Sequence, residues 1–171
     1  WERLLYRYTE ELVRTVSEFC EVVVISGSPL VVLEPLCSRL GIQQIESTVN
    51  QIDREGRFTG KVIVNRAIRP AKEEVALRYR LTKDDDALWE KSLGFGDTEH
   101  DFPLMEYVGL PYLISDCSSP AQEGKNSKLF KTMQERLPQL KWVRLPADEK
   151  TLSHTERREL YHQYGDEEQY R

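Results

Sequence analysis

Residues 21–41 read EVVVISGSPLVVLEPLCSRLG, and the reading of this stretch decides the fold. Val22 to Ile25 form a continuous β-branched run, the pattern of a strand buried on both faces of a parallel sheet. Ser28 and Pro29 suit the N-cap and first position of a helix. The spacing predicts that helix over about residues 30–40, with Gly41 as its C-terminal stop. Strand, short Gly/Ser turn and helix make the front half of a βαβ unit.

Working outward, the upstream segment places Trp1, Leu4, Leu5, Tyr8, Leu12, Val16 and Phe19 at three- and four-residue steps, one face of a helix. That pattern is already under way at Trp1, so further sequence upstream is expected. Downstream, β-branched residues flank DREGRFTG (53–60), which predicts a strand followed by a hairpin-like excursion. Pro70 opens a helix through AKEEVALRYRL (71–81), with Glu residues expected in its first turn, where the macrodipole favours them. A charged connection, TKDDDALWEK (82–91), leads to SLGFGD (92–97), read as a short buried strand. FPLMEYVG (102–109) reads as a helix carrying Leu104, Met105 and Val108 inward, and LPYLIS (110–115) as another strand. Residues 125–146 give an amphipathic helix and an extended piece. Beyond them the chain turns polar, and Ser153-x-x-Glu156 predicts a capping box opening a helix up to about Tyr164. The expected organisation is a core over residues 1–145 and a charged helical tail over 146–171. Alternating strands and helices predict an α/β fold with a mostly parallel sheet.

Composition narrows the functional classes. The 171 residues, 39% hydrophobic and 31% charged, suit one domain with a real core. A net charge of −5 gives no electrostatic case for a nucleic-acid partner. No apolar run approaches the roughly 20 residues that span a bilayer, and no signal peptide is seen, so no membrane role is expected. Three scattered cysteines, Cys20, Cys37 and Cys117, fit buried thiols in a reducing compartment, which makes the cytoplasm the expected location. Oligomeric state is left open.

In such sheets ligands bind beyond the carboxyl ends of the strands. Ser26-Gly27-Ser28 and Gly96-Asp97 stand at such ends, Asp101 follows, and Lys72 lies near a helix start. A hydroxyl and turn amides bind a phosphoryl group, a lysine balances its charge, and paired carboxylates bind a hard cation such as Mg²⁺. Each residue also has a plainer reading. Ser28 serves as a helix cap, Asp97 and Asp101 as an Asx turn and an early-helix charge, and Gly27 as a point of close backbone approach. His154 and His162, eight apart in the charged tail, read as surface imidazoles, and Glu99 and His100, inside the GDTEHD loop, as residues that could touch a substrate.

VVVISGSPLVVLEPLCSRLGI, FTGKVIV, AKEEVAL and GFGDTEHDFPLMEYVG, in that order, resemble the haloacid dehalogenase superfamily, in its phosphoserine-phosphatase-like branch. The resemblance covers roughly residues 10–145. It implies a Rossmann-like core acting as a Mg²⁺-dependent phosphatase on a small phosphorylated metabolite. Ser26 and Gly27 match the phosphate-binding motif. Lys72 matches the motif lysine by location, with Lys61 as competitor. Asp97 matches the first aspartate of GDxxxD, which ligates Mg²⁺, and Asp101 the second, which supports it. The superfamily's DxDx(T/V), carrying nucleophile and general acid/base, is absent: DDDAL at Asp84 and DCSSP at Asp116 both fail the pattern. The resemblance puts that motif on a central strand between the strands ending at Ser26 and Gly96, and a cap domain ahead of residue 22. The fold is therefore expected to be incomplete, with two open edges facing a gap, and this chain alone to be inactive. Upstream sequence, or another segment or chain, would fill the gap. Two other readings stand beside this one: a non-catalytic binding or scaffolding module of the same fold, and a receiver-like phosphate-handling domain.

Overall fold

The computed structural model describes residues 5, 6, 8–67, 69–83, 89–117 and 119–145. The expected tail helix at Ser153–Tyr164 and the whole DDDAL segment lie outside them.

The run that begins at residue 22 forms β1 (Val23–Pro29), and β2 (Gln44–Ile52) pairs with it in parallel. The intervening helix α2 (Leu30–Arg39) stops where Gly41 takes φ +72°, a left-handed conformation open to glycine without a Cβ penalty. One detail differs from expectation. β1 runs on through Pro29, whose extended backbone (φ −60°, ψ 139°) precedes the first helical turn, so Ser28 does not cap α2. The Ser28 amide instead donates to Ser26 Oγ at 3.1 Å.

The predicted hairpin is present. β2 pairs antiparallel with β3 (Phe58–Val64). Asp53 closes the turn by accepting the amides of Glu55 (3.0 Å) and Arg57 (2.9 Å) on Oδ1. Helix α3 (Arg69–Lys83) then carries the chain from β3 toward the second half of the molecule. No acid stands in its first turn, because the helix begins at Arg69 and Glu73 and Glu74 fall in the second. Ala71, Lys72, Val75 and Ala76 form its buried stripe.

The second half is an all-parallel sheet of β4 (Leu93–Gly96), β5 (Leu110–Asp116) and β6 (Lys141–Leu145). Between β4 and β5 the predicted helix shrinks to a 3₁₀ turn (Glu99–Asp101) and α4 (Phe102–Met105). Met105 and Val108 are buried as expected, whereas Leu104 is only half-buried. Helix α5 (Pro120–Arg136) joins β5 to β6, its N-terminus capped by Ser119 Oγ, which accepts the Gln122 amide. Phe102, Met105, Leu113, Met133, Leu137 and Leu140 close into one core beneath this sheet. Burying a side chain such as Leu113 fully is worth roughly 1.5–3 kcal/mol over leaving it in water.

The strands form two separate sheets, in the orders β1-β2-β3 and β4-β5-β6. Val23, Val24 and Ile25 are accordingly half-buried, not enclosed on both faces, because β1 is an edge strand. The first helix, α1 (Thr9–Ser17), begins later than its periodicity predicts and buries none of its residues. Leu5, in a bend, and Tyr6, in a β-bridge, precede it, and Phe19, beyond its end, is 82% exposed. Of the cysteines, Cys37 is buried and Cys20 exposed, so the expectation of buried thiols fails at Cys20.

Candidate functional site

The site is built around β4's carboxyl end. Gly96 is the last residue of the strand, and an added Cβ there would run into Asp101 Cβ and come within 2.6 Å of Met105 Cε. Only a glycine lets the following turn fold back so tightly over the strand. That turn is a reciprocal capping box. Asp101 Oδ2 accepts the amides of Asp97 and Thr98, each at 3.1 Å, and the Thr98 hydroxyl at 3.0 Å. Its other oxygen, Oδ1, pairs with Lys72 Nζ in a buried ion pair.

Three of the residues singled out in the sequence therefore come together. Lys72 arrives from the first turns of α3, and Asp101 and Asp97 from the turn after β4. Lys61, the competing lysine, lies exposed on β3. Thr98 is the member that sequence reasoning missed, although Thr98-x-x-Asp101 is a variant of the capping-box pattern. The fourfold engagement of Asp101 leaves Asp97 as the carboxylate exposed to solvent.

The two acids are driven apart electrostatically. Although Asp97 reaches solvent, partial desolvation by the atoms around it raises its pKa and the Asp101 charge raises it further, against a smaller lowering by Lys72. Burial also disfavours a charged Asp101. The hydrogen bond and charge of Lys72, with the Thr98 and Asp97 amides, outweigh it, so the Asp101 pKa lies below the usual carboxylate value.

Ser26 and Gly27 lie inside the later half of β1, not in a turn after it, because the strand runs on to Pro29. Gly27 is pressed against the chain entering α3: an added Cβ would lie 2.9 Å from Ala67 Cα. Ala67 is five residues ahead of Lys72 in the chain, whereas neither Ser26 nor Gly27 is among the residues lining the cavity beside Asp97. Beside Asp97 a cavity of about 650 Å³ opens, lined by Tyr6, Tyr8, Thr9 and Leu12 among others. Phe95, Gly96, Ser115 and Asn126 line it as well. Ser115 is buried and its hydroxyl has no hydrogen-bond partner.

Among the described residues, no group of three or more His, Cys, Asp and Glu side chains could hold a metal ion. A protein cage of that kind is not what Mg²⁺ requires, since one or two carboxylates suffice when phosphate oxygens and water complete its shell. Asp97 fits such a ligand. No helix among the described residues is long and apolar enough to cross a membrane.

Comparison with known proteins bears on the fold and the family. The family of haloacid dehalogenase-like hydrolases matches residues 3–106. A histidinol-phosphatase of Neisseria meningitidis serogroup C (strain 8013) is 26% identical over 107 residues, which cover 61% of this chain and 48% of that one. The chain thus spans about half the length of this curated relative. Among solved structures, a probable phosphoserine phosphatase from Vibrio cholerae in unliganded form superposes with a TM-score of 0.58 at 20% identity. The match covers 81% of this chain and 46% of that one. A hydrolase from Salmonella enterica subsp. enterica serovar Typhi also gives 0.58, at 16% identity, covering 71% and 40%. These likenesses establish a shared fold, and the family match covers well over half of the chain. The chain belongs to the haloacid dehalogenase-like hydrolases.

Proposed function

We propose that this chain carries the phosphate- and metal-binding portion of a Mg²⁺-dependent phosphomonoesterase acting on a small phosphorylated metabolite. The observation that carries the reading is the buried Lys72–Asp101 pair, which fixes the loop so that Asp97 is left exposed to take a cation. The phosphatases among its relatives give the reaction class.

Each residue's part follows from its chemistry. Ser26 Oγ already accepts the Ser28 amide, so its own proton remains to be donated to a phosphoryl oxygen. The Gly27 amide is a second candidate donor. Lys72 spends one of its three N–H donors on Asp101 and keeps the others for anionic charge from the phosphoryl group. Asp97 would hold Mg²⁺, with Asp101 orienting the loop behind it. The metal supplies a fixed positive charge that stabilises developing negative charge on the phosphoryl oxygens. The nucleophilic aspartate lies outside these 171 residues, since no DxDx(T/V) occurs among them.

The test is direct. Calorimetric titration of the purified 171-residue chain with Mg²⁺ in the presence of inorganic phosphate should show one site, abolished by Asp97→Asn. The same preparation should not turn over p-nitrophenyl phosphate. Absence of Mg²⁺ binding would sink the metal assignment, and metal-dependent turnover would sink the assignment of the nucleophile to another segment.

A further inference from the structure

We infer that Glu46 of β2 is a positioning residue for Lys72: its carboxylate fastens α3 on both sides of the lysine and so fixes the direction in which the helix presents it. What this does to phosphate binding rests on the function proposed above; the placing of Lys72 does not.

The inference starts from where Glu46 lies. It sits on the central strand of the first sheet, in register with Ile25 of β1. Its side chain is only 20% exposed. A carboxylate so far withdrawn from water is kept only where its charge is paired. Both oxygens are engaged. Oε2 accepts Arg66 Nη2 at 3.2 Å, and Oε1 pairs with Arg78 Nη2.

The two arginines bracket the lysine. Arg66 stands six residues before Lys72 and Arg78 six residues after it. Arg66 belongs to the segment that enters α3, and its amide gives β2 a second tie by donating to Thr48 Oγ1 at 3.1 Å. The next residue, Ala67, rests against Gly27. Arg78 lies within the helix proper. One carboxylate therefore holds both the entry of α3 and a point farther along it, which opposes sliding as well as turning.

Helical geometry converts that grip into an aim. At about 100° per residue, six residues place Arg78 about 240° round the axis from Lys72. With Arg78 held on β2, Lys72 leaves from another side of the helix and meets Asp101 in the turn after β4. The adjacent residues repeat the division. The Tyr79 hydroxyl donates to Gln44 Oε1 on β2 at 3.4 Å, while Glu73 accepts the Tyr107 hydroxyl at 3.0 Å in the second half. Glu46 touches neither Lys72 nor Asp101 in this arrangement; it acts through the rotation of α3.

Reductive methylation followed by mass spectrometry reads the lysine directly, with exposed Lys61 as the internal standard. Glu46→Gln removes the charge and leaves one acceptor oxygen for two arginines. Lys72 should then be methylated about tenfold faster than in the native chain, with Lys61 unchanged. Affinity for inorganic phosphate, measured by calorimetry with Mg²⁺ present, should fall about fivefold, because a misaimed ammonium loses part of a charge-assisted hydrogen bond. Glu46→Asp keeps the charge and should hold both values within about threefold of native. Ile42→Ala, which trims a buried side chain of the first half without removing a charge, should leave Lys72 protected. Unchanged methylation of Lys72 in Glu46→Gln overturns the inference. Equal methylation in Ile42→Ala also overturns it, since general loosening would then account for the effect. A chain whose Lys72 is protected through Glu46 but which binds no phosphate overturns the proposed function alone.

Discussion

Lys72 and Asp101, 29 positions apart in the sequence, form a buried ion pair that ties α3 to the turn after β4. It is at once a structural link between the two halves of the molecule and the positioning device for Asp97.

Removing one partner leaves the other charged and buried. Lys72→Met should therefore cost about 3–5 kcal/mol, more than the pair itself contributes. Lys72→Met with Asp101→Asn should recover part of that loss. Urea unfolding of the two single variants and the double variant measures the coupling.

The lowered Asp101 pKa sets an acid limit to stability. A carboxyl group whose folded-state pKa lies below its unfolded value of about 3.9 stabilises the protein above that pH. The contribution is lost as pH falls through the folded value. Stability should thus drop steeply below about pH 4 in the native chain, and more gently in Asp101→Asn, in a series of thermal melts.

Asp97 has the opposite sign. Its raised pKa means that its charge is a net cost in the folded state at neutral pH, relieved as pH falls through that value. Asp97→Asn should raise stability slightly, by about 0.5 kcal/mol once solvent screening is allowed for. The same variant should lose Mg²⁺ binding. Calorimetry and titration on one sample decide both.

Gly96 and Gly124 give a paired contrast. A methyl group at Gly96 meets Asp101 and Met105, and overpacking of that kind costs about 1–3 kcal/mol. Gly124 lies in α5 with nothing within 4 Å of an added Cβ. Gly124→Ala should stabilise the chain by up to about 1 kcal/mol. Denaturant midpoints should move in opposite directions.

Much of this was legible in residues 21–64, where β-branched runs, turn chemistry and a glycine stop all operate locally. The Gly96-Asp97 loop was legible too, but only as a pattern whose meaning came from its neighbours. What the sequence concealed is tertiary. The stripe from Trp1 to Phe19 announces an amphipathic helix, yet periodicity does not report that the described helix starts at Thr9 and leaves its apolar residues at most half-buried. FPLMEYVG carries helical spacing, but the capping box ahead of it and the short link to β5 leave only four α-helical residues. Ser28 looked like a cap because its composition fits one, and the extension of β1 through Pro29 decided otherwise. Thr98 was overlooked because its role depends on a side chain three residues away folding back over a glycine.

The hydrogen bonds converging on Asp101 have a thermodynamic corollary. The loop amides and Lys72 all lean on one carboxylate, and the neighbouring charge on Asp97 works against them. A cation seated on Asp97 cancels that opposition, so ligand occupancy and resistance to unfolding are a single linked equilibrium. At a hundredfold excess over its dissociation constant, such a ligand adds about 2.7 kcal/mol to stability. The melting temperature of this chain should therefore register its ligand even where no reaction can follow.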